Sequence, residues 1–372
     1  MTASYPIRPA VLEFTPYTPG LSIDEIKERY GLSQVVKMAS NENPLGTSPL
    51  VQERVCKAAG TMFRYIQSGA PRLVEAVAHF FQVPPACVVL GNGSDEVIDL
   101  LIRACPTPGI HNVVTCTPCF SLYTLQSKLC GVALREVPLN PDFSFPWQAM
   151  RAAVDEHTAL VFITTPDNPS GFCPPREEVL AFAASLPPTC LLVVDEAYID
   201  FCENEQESSL LPLLATRPNV VVLRTFSKSF GLAGMRLGFG VMPQKLATCL
   251  CAIRPPFSVN ILAEIAGIAA LEDTTFRAAT MHTVKTGRAY LQEQLTALGC
   301  TVFPSQANFL MFRLPQGCTK QAKEVFASLL ERGIIIRPLN SYNLADHLRV
   351  TVGTAQENAL FVQELTGVLR HA

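Results

Sequence analysis

Charge is scarce in this chain. Only 16% of its 372 residues are Asp, Glu, Lys or Arg, against roughly a quarter in ordinary soluble domains. A globule of this size needs a wetted surface, so part of that surface is expected to lie against another subunit. The 29 basic and 32 acidic residues nearly cancel, leaving a net charge of -3 and no basic block. Nucleic acid is therefore not expected as a partner. Long apolar runs are missing too. None approaches the roughly 18 residues that cross a bilayer, so no membrane span is expected. The opening "MTASYPIRPAVLEFTPYTPG" has neither a basic segment ahead of an apolar core nor a cleavage site, so no export signal is expected. Six histidines are scattered without an H-x-x-x-H pair, and no G-x-S-x-G elbow occurs. These absences argue against zinc-dependent and nucleophile-elbow hydrolysis, and no metal site is expected.

What is present is apolar. Hydrophobic residues make up 48% of the chain, and its length suits one large domain plus a smaller one. The 13 cysteines are odd in number, and many sit in runs such as "CLLVV" and "TCLCAI". They read as reduced core residues of a cytoplasmic protein rather than a disulfide framework. "CTPC", Cys116 to Cys119, has the spacing of a redox or zinc half-site. A structural zinc site needs a second ligand pair, and none follows; against a thioredoxin-like role, Pro118 and Phe120 read as a loop after the strand "NVVTC".

Seven β-branched runs read as strands: "CVVL" (87–90), "NVVTC" (112–116), "VALREV" (132–137), "ALVFIT" (159–164), "LLVVD" (191–195), "VVVLR" (220–224) and "LGFGV" (237–241). Helical patterns such as "SDEVIDLLIRA" and "REEVLAFAASL" separate most of them. Continuous apolar strands alternating with helices predict an α/β fold with a mainly parallel seven-stranded sheet flanked by helices. The last two strands are joined by only about a dozen residues, too few for a full crossover, which predicts one antiparallel strand. After "RPPFSVN" the texture changes to an α+β pattern. The expected organisation is an N-terminal segment (1–40), an arm across the surface or part of the small domain, then a large domain (41–258) and a small C-terminal α+β domain (259–372).

In an open parallel sheet, ligands bind beyond the carboxyl ends of the strands. "GNGSDE" follows the first strand: its glycines let backbone N–H groups approach an anion at a helix N-terminus. Phe120 follows the second strand, and "TPDNPSG", with Asn168 at its centre, follows the fourth. Asp195 and Tyr198 follow the fifth in "DEAY", and Lys228 follows the sixth. Each has an ordinary explanation alone, as a cap, a turn, a core ring or a solvated cation. Their convergence on one sheet edge points to chemistry. Pyridoxal phosphate needs this inventory: a phosphate cradle, a lysine for a Schiff base, a ring platform, a carboxylate at the pyridine nitrogen and donors for the ring oxygen.

The motifs "SNENPLG", "GNGSDE", "TPDNPSG", "DEAYIDF", "RTFSKSFGLAGMRLG" and "LRVTVG", in this order, resemble those of fold-type I pyridoxal-phosphate aminotransferases. They are most similar to the histidinol-phosphate aminotransferase family, from about residue 13 to 354. The resemblance implies that Lys228 forms the Schiff base and moves the substrate proton, its pKa lowered by that bond and by cationic surroundings. It implies that Asp195 pairs with the pyridine nitrogen, that Asn168 and Tyr198 bind the ring oxygen, and that Phe120, where relatives often carry Tyr, stacks on the ring. The phosphate would sit on the N–H groups of Ser94 and Asp95, with Thr225, Ser227 and Arg236. The resemblance further implies a homodimer in which Tyr65 reaches the partner's phosphate; the chain reads Tyr-Ile there where relatives usually read Tyr-Pro. Arg349, Arg337 and Tyr17 would hold the substrate's anion, with Asn43 near the substrate. One site would then take histidinol phosphate and, in turn, glutamate or 2-oxoglutarate, in histidine biosynthesis. An aromatic amino-acid aminotransferase and a phosphothreonine decarboxylase are the alternatives that similar motifs admit.

Overall fold

The computed structural model describes residues 5–14 and 21–370. Its strands are β1 (Val36–Lys37), β2 (Val88–Asn92), β3 (Asn112–Thr117), β4 (Ala133–Pro138), β5 (Thr158–Thr164), β6 (Leu191–Asp195), β7 (Val220–Thr225), β8 (Leu237–Val241), β9 (Thr301–Val302), β10 (Phe309–Arg313), β11 (Ile334–Ile335), β12 (Arg337–Leu339) and β13 (Leu344–Thr351). Seven of them form one sheet in the order β2-β8-β7-β6-β5-β3-β4. These are the seven runs expected from the sequence. β3 to β7 pair parallel. β8 is the antiparallel member, lying between β2 and β7.

The strands read as unbroken apolar runs because each feeds two cores. Successive side chains point to opposite faces. Leu192 and Val194 join Val161, Ile163, Val220 and Val222 on one face; Val193 joins Leu160, Phe162, Val221 and Leu223 on the other. Leu73 and Val77 of the helix Pro71–Phe81 cover the first face. Val97, Ile98 and Leu101 of the helix Ser94–Ala104 cover the second. Each such buried Val or Leu contributes roughly 1.5–3 kcal/mol. The helix Ile261–Glu272 follows the change of texture, yet it sets Ala263, Ala266 and Ala269 in the first of these cores. Its Asn260 cap and the Asp273 cap of the next helix, Thr274–Ala297, break what reads in sequence as one long helical region.

A second core gathers Leu310, Phe312, Leu348, Val350, Phe361 and Leu365 around an antiparallel sheet in the order β12-β13-β10-β9. The run "IIIRPL" divides after Ile335: β11 pairs in parallel with β1, whereas β12 pairs with β13. Residues 36–39 of the N-terminal segment thus pack with the small domain rather than across the surface. Val36 and Met38 are buried in the second core and Ala39 beside it, because β1 bonds to β11 rather than lying free. Among the described residues, no helix is long and apolar enough to cross a membrane.

Candidate active site

The large sheet delivers its polar residues to one edge. β6 ends on Asp195, which lies opposite Thr164 of β5 and Leu223 of β7 in the ladder. Its carboxylate is 4% exposed. Oδ2 accepts from the Tyr123 hydroxyl at 2.9 Å and Oδ1 from the Ala197 N–H at 3.1 Å. Burial pushes its pKa up to about 6 against the pull of those two donors. Tyr123 stacks on Phe162 at 4.6 Å and meets Phe120 edge-on at 5.7 Å.

Lys228 follows β7 and is half-buried. Its Nζ donates to the Ser40 carbonyl at 3.2 Å and lies 5.7 Å from the centroid of the Tyr198 ring. Burial, and after it the Arg349 charge, lower its pKa to about 8; Glu42 and Asp95 act in the opposite direction. Burial is the first cause, where the sequence pointed to neighbouring cations. Tyr198 is buried, its hydroxyl accepting from Asn41 Nδ2 at 3.1 Å. Asn168 is buried in a turn closed by Asp167, whose Oδ2 accepts from the Ser170 hydroxyl and N–H. The Asn168 carbonyl oxygen accepts from Arg349 Nη1.

On the other side, Gly93 precedes the helix Ser94–Ala104 with φ +78°. A Cβ there would lie 2.6 Å from Arg236 Nη2, and one on Gly238 would lie 2.2 Å from the Ser94 nitrogen. Only glycine lets these segments close on each other. Arg236 donates to Asp95 at 3.0 Å and to Ser227 Oγ at 3.5 Å; Thr225 Oγ1 accepts from the Ser227 N–H at 3.1 Å. Glu96, which stands where a dinucleotide fingerprint would have glycine, instead caps the turn by accepting from the Asn92 N–H at 2.7 Å.

Arg349 enters from β13, directly opposite Arg337 of β12. It is 5% exposed, lies 5.0 Å over the Phe309 ring, and gives Nη2 to the Ala39 carbonyl at 2.9 Å. Its Nε is buried without a partner. Two expected residues stand apart from this cluster. Tyr65 is 81% exposed and stacked on Phe257 at 4.7 Å, while the neighbouring Ile66 is buried in the large core. Asn43 is turned to the scaffold: Nδ2 donates to the Ser229 carbonyl and Thr280 Oγ1, and Oδ1 accepts from the Leu45 N–H. Tyr17 lies outside the described residues.

Residues 33–365 match the family described as aminotransferase class I and II. The chain belongs to that family. It is 61% identical over 364 residues to the histidinol-phosphate aminotransferase of Oleidesulfovibrio alaskensis, covering 98% of this chain and 95% of the other. The enzyme of the same name from Nitratidesulfovibrio vulgaris is 59% identical over 366 residues, covering 98% and 97%. In three dimensions the chain superposes on the histidinol-phosphate aminotransferase of Sinorhizobium meliloti, a structure in complex with pyridoxal 5'-phosphate. The TM-score is 0.87 at 27% identity, with 100% and 99% of the two chains covered.

Pyridoxal phosphate is the cofactor of this aminotransferase family, and the cluster fits it. Asp195 is a buried carboxylate with no cation bonded to it, as a site for a protonated ring nitrogen requires. Lys228 is a half-buried amine bonded to one backbone carbonyl. The Gly93 turn and Arg236 form a cradle at a helix N-terminus, the setting that favours phosphate. Two site residues escaped the sequence reading. Asn41 sits two residues before Asn43, within the same "SNENP" segment. Tyr123 stands one helical turn beyond Phe120, and that spacing from a strand end was the signal for it.

Proposed function

We propose that this chain moves the amino group between histidinol phosphate and 2-oxoglutarate, as a step of histidine biosynthesis in the cytoplasm. The observation that carries the substrate reading is the pair Arg337 and Arg349, set opposite each other across an antiparallel ladder. Two cations so placed repel one another, and a doubly charged phosphate meeting both would relieve that repulsion. The two close relatives bear the same substrate in their names.

Pyridoxal phosphate, when bound, supplies an electron sink for the bonds at the substrate's α-carbon. Lys228 Nζ would hold it covalently and then carry the proton to and from that carbon. A pKa near 8 leaves part of the amine neutral at working pH, as a general base requires. Asp195 would hold the ring-nitrogen proton, its Oδ2 set by Tyr123. Asn168 and Tyr198 would orient the ring oxygen, and Phe120 would cover one face. Ser94, Asp95, Thr225, Ser227 and Arg236 would bind the cofactor phosphate; Arg337, Arg349 and Tyr17 would bind the substrate's anion. The same guanidinium pair suits a carboxylate of 2-oxoglutarate.

Phenylalanine and tyrosine carry no distal anion for this pair, which places the aromatic aminotransferase reading second. The deciding measurement is the visible spectrum of the loaded protein after single additions of histidinol phosphate, phenylalanine or phosphothreonine. Bleaching to the pyridoxamine form is expected with the first alone; bleaching with phenylalanine would move the substrate, and absence of any cofactor band would overturn the whole reading. Lys228→Ala should bind the cofactor without the covalent band and lose turnover.

A further inference from the structure

Beneath the Lys228 turn lies a charged network that joins Glu196 and Asp200 of "DEAYIDF" and Arg224 of "RTFSKSFGLAGMRLG" to residues outside the motifs. Arg224 of β7 is 4% exposed. It donates from Nε to Glu196 Oε2 and from Nη1 to Asp200 Oδ1, each at 2.9 Å, and from Nη2 to Ser209 Oγ at 3.1 Å. Arg277, from the helix Thr274–Ala297, donates to Glu205 Oε2 at 2.6 Å and to Asp200 Oδ1 at 3.3 Å. Two guanidinium groups from different elements thus fix one oxygen of Asp200. The other, Oδ2, accepts a short bond from the hydroxyl of Ser229, which is fully buried and directly follows Lys228.

We propose that Asp200 is a positioning residue for Lys228, acting through Ser229. The proposal rests on the reading of Lys228 as the residue that holds the cofactor. The lysine lies between two anchored serines. Ser227 is tied to Thr225 and Arg236; Ser229 is tied to Asp200 through its hydroxyl and to Asn43 through its carbonyl. With both flanks fixed, the lysine backbone cannot slide along the turn, and Nζ is confined between the Ser40 carbonyl and the Tyr198 ring. Asp200 also lies five residues beyond Asp195 and two beyond Tyr198. One short segment then orients the ring carboxylate, the phenol and the lysine together, and a misplacement of the amine of about an ångström is enough to slow proton transfer on the order of a hundredfold.

The test compares Ser229→Ala with Arg277→Gln in the cofactor-loaded protein. Ser229→Ala removes one oxygen and leaves the guanidinium pairs in place. Freed from its anchor, the lysine nitrogen gains hydration, which favours its charged form. The pH midpoint of the visible cofactor band should therefore rise by about half a unit, with kcat down on the order of tenfold and KM nearly unchanged. Arg277→Gln, on the far side of the network, should lower the melting temperature and leave the midpoint in place. An unmoved midpoint and kcat in Ser229→Ala would overturn the positioning role while leaving the cofactor reading intact. A parent protein that shows no cofactor band would instead overturn the reading of Lys228.

Discussion

At the scale of single residues, the site is governed by what burial does to two ionisable groups. Partial burial, and after it the Arg349 charge, lower the pKa of the Lys228 amine to about 8. Below that pKa the nitrogen is protonated and cannot attack a carbonyl; above it the amine is neutral. The rate at which cofactor-free protein takes up pyridoxal phosphate should accordingly rise with pH through about 8. Stopped-flow absorbance would check this, and a rise centred near the ordinary lysine value would show that Nζ is hydrated. Asp195 leans the other way, its carboxyl raised to about 6 by burial. The Tyr123 hydroxyl is the side-chain donor that opposes this. Tyr123→Phe should therefore weaken cofactor binding by roughly 1–2 kcal/mol, about tenfold in Kd, as read by spectroscopic titration; an unchanged Kd would assign the hydroxyl to packing alone.

At the scale of elements, the site joins strand ends of the large sheet to a ladder of the small one. β12 and β13 hold Arg337 and Arg349 in register, so the spacing of the proposed anion site is a sheet spacing rather than a loop conformation. Arg349→Lys would keep the charge and lose the second hydrogen bond of the fork. It should raise KM for the phosphate substrate by about a hundredfold, roughly 2–3 kcal/mol, with a smaller effect on kcat; equal kinetics would place anion recognition elsewhere. The seven strands of the large sheet were legible because strands buried on both faces leave unbroken β-branched runs. The motif residues at their ends were legible because turns and polar groups stand out against such runs. The split of "IIIRPL" between two sheets was not, since β11 and β12 differ in their partners and not in their composition. Nor was the network that joins Glu196, Asp200 and Arg224, which two of the motifs contain, to Glu205 and Arg277 from other segments: the first three look in sequence like surface charges. Burial, the property that makes them notable, is created only by the fold. Asn43 shows the same limit in reverse: two asparagines two residues apart share one motif, and only the hydrogen-bond partners tell scaffold from site.

At the scale of the whole molecule, the low charge content meets an exposed apolar group, Met62, Phe63 and Tyr65, beside Phe257. A surface of this kind suits a second copy of the chain. Sedimentation equilibrium should give twice the 40.5 kDa chain mass, and a monomer at micromolar concentration would rule out a shared site. If Tyr65 reaches the neighbouring cofactor, Tyr65→Ala and Lys228→Ala chains, each inactive or impaired alone, should recover activity when mixed. The path of the chain near residue 40 joins the two cores. The segment from Met38 to Asn41 is bonded to Thr351, at the end of β13: the Thr351 N–H donates to the Met38 carbonyl, and the Asn41 N–H donates to Thr351 Oγ1. Between them lies Ser40, whose carbonyl receives the Lys228 amine. A tilt of the small sheet toward the large one would therefore reach the oxygen that accepts from Lys228 through two hydrogen bonds and a short stretch of chain. The strand that carries Arg349 and the atom that restrains Nζ would move as one lever.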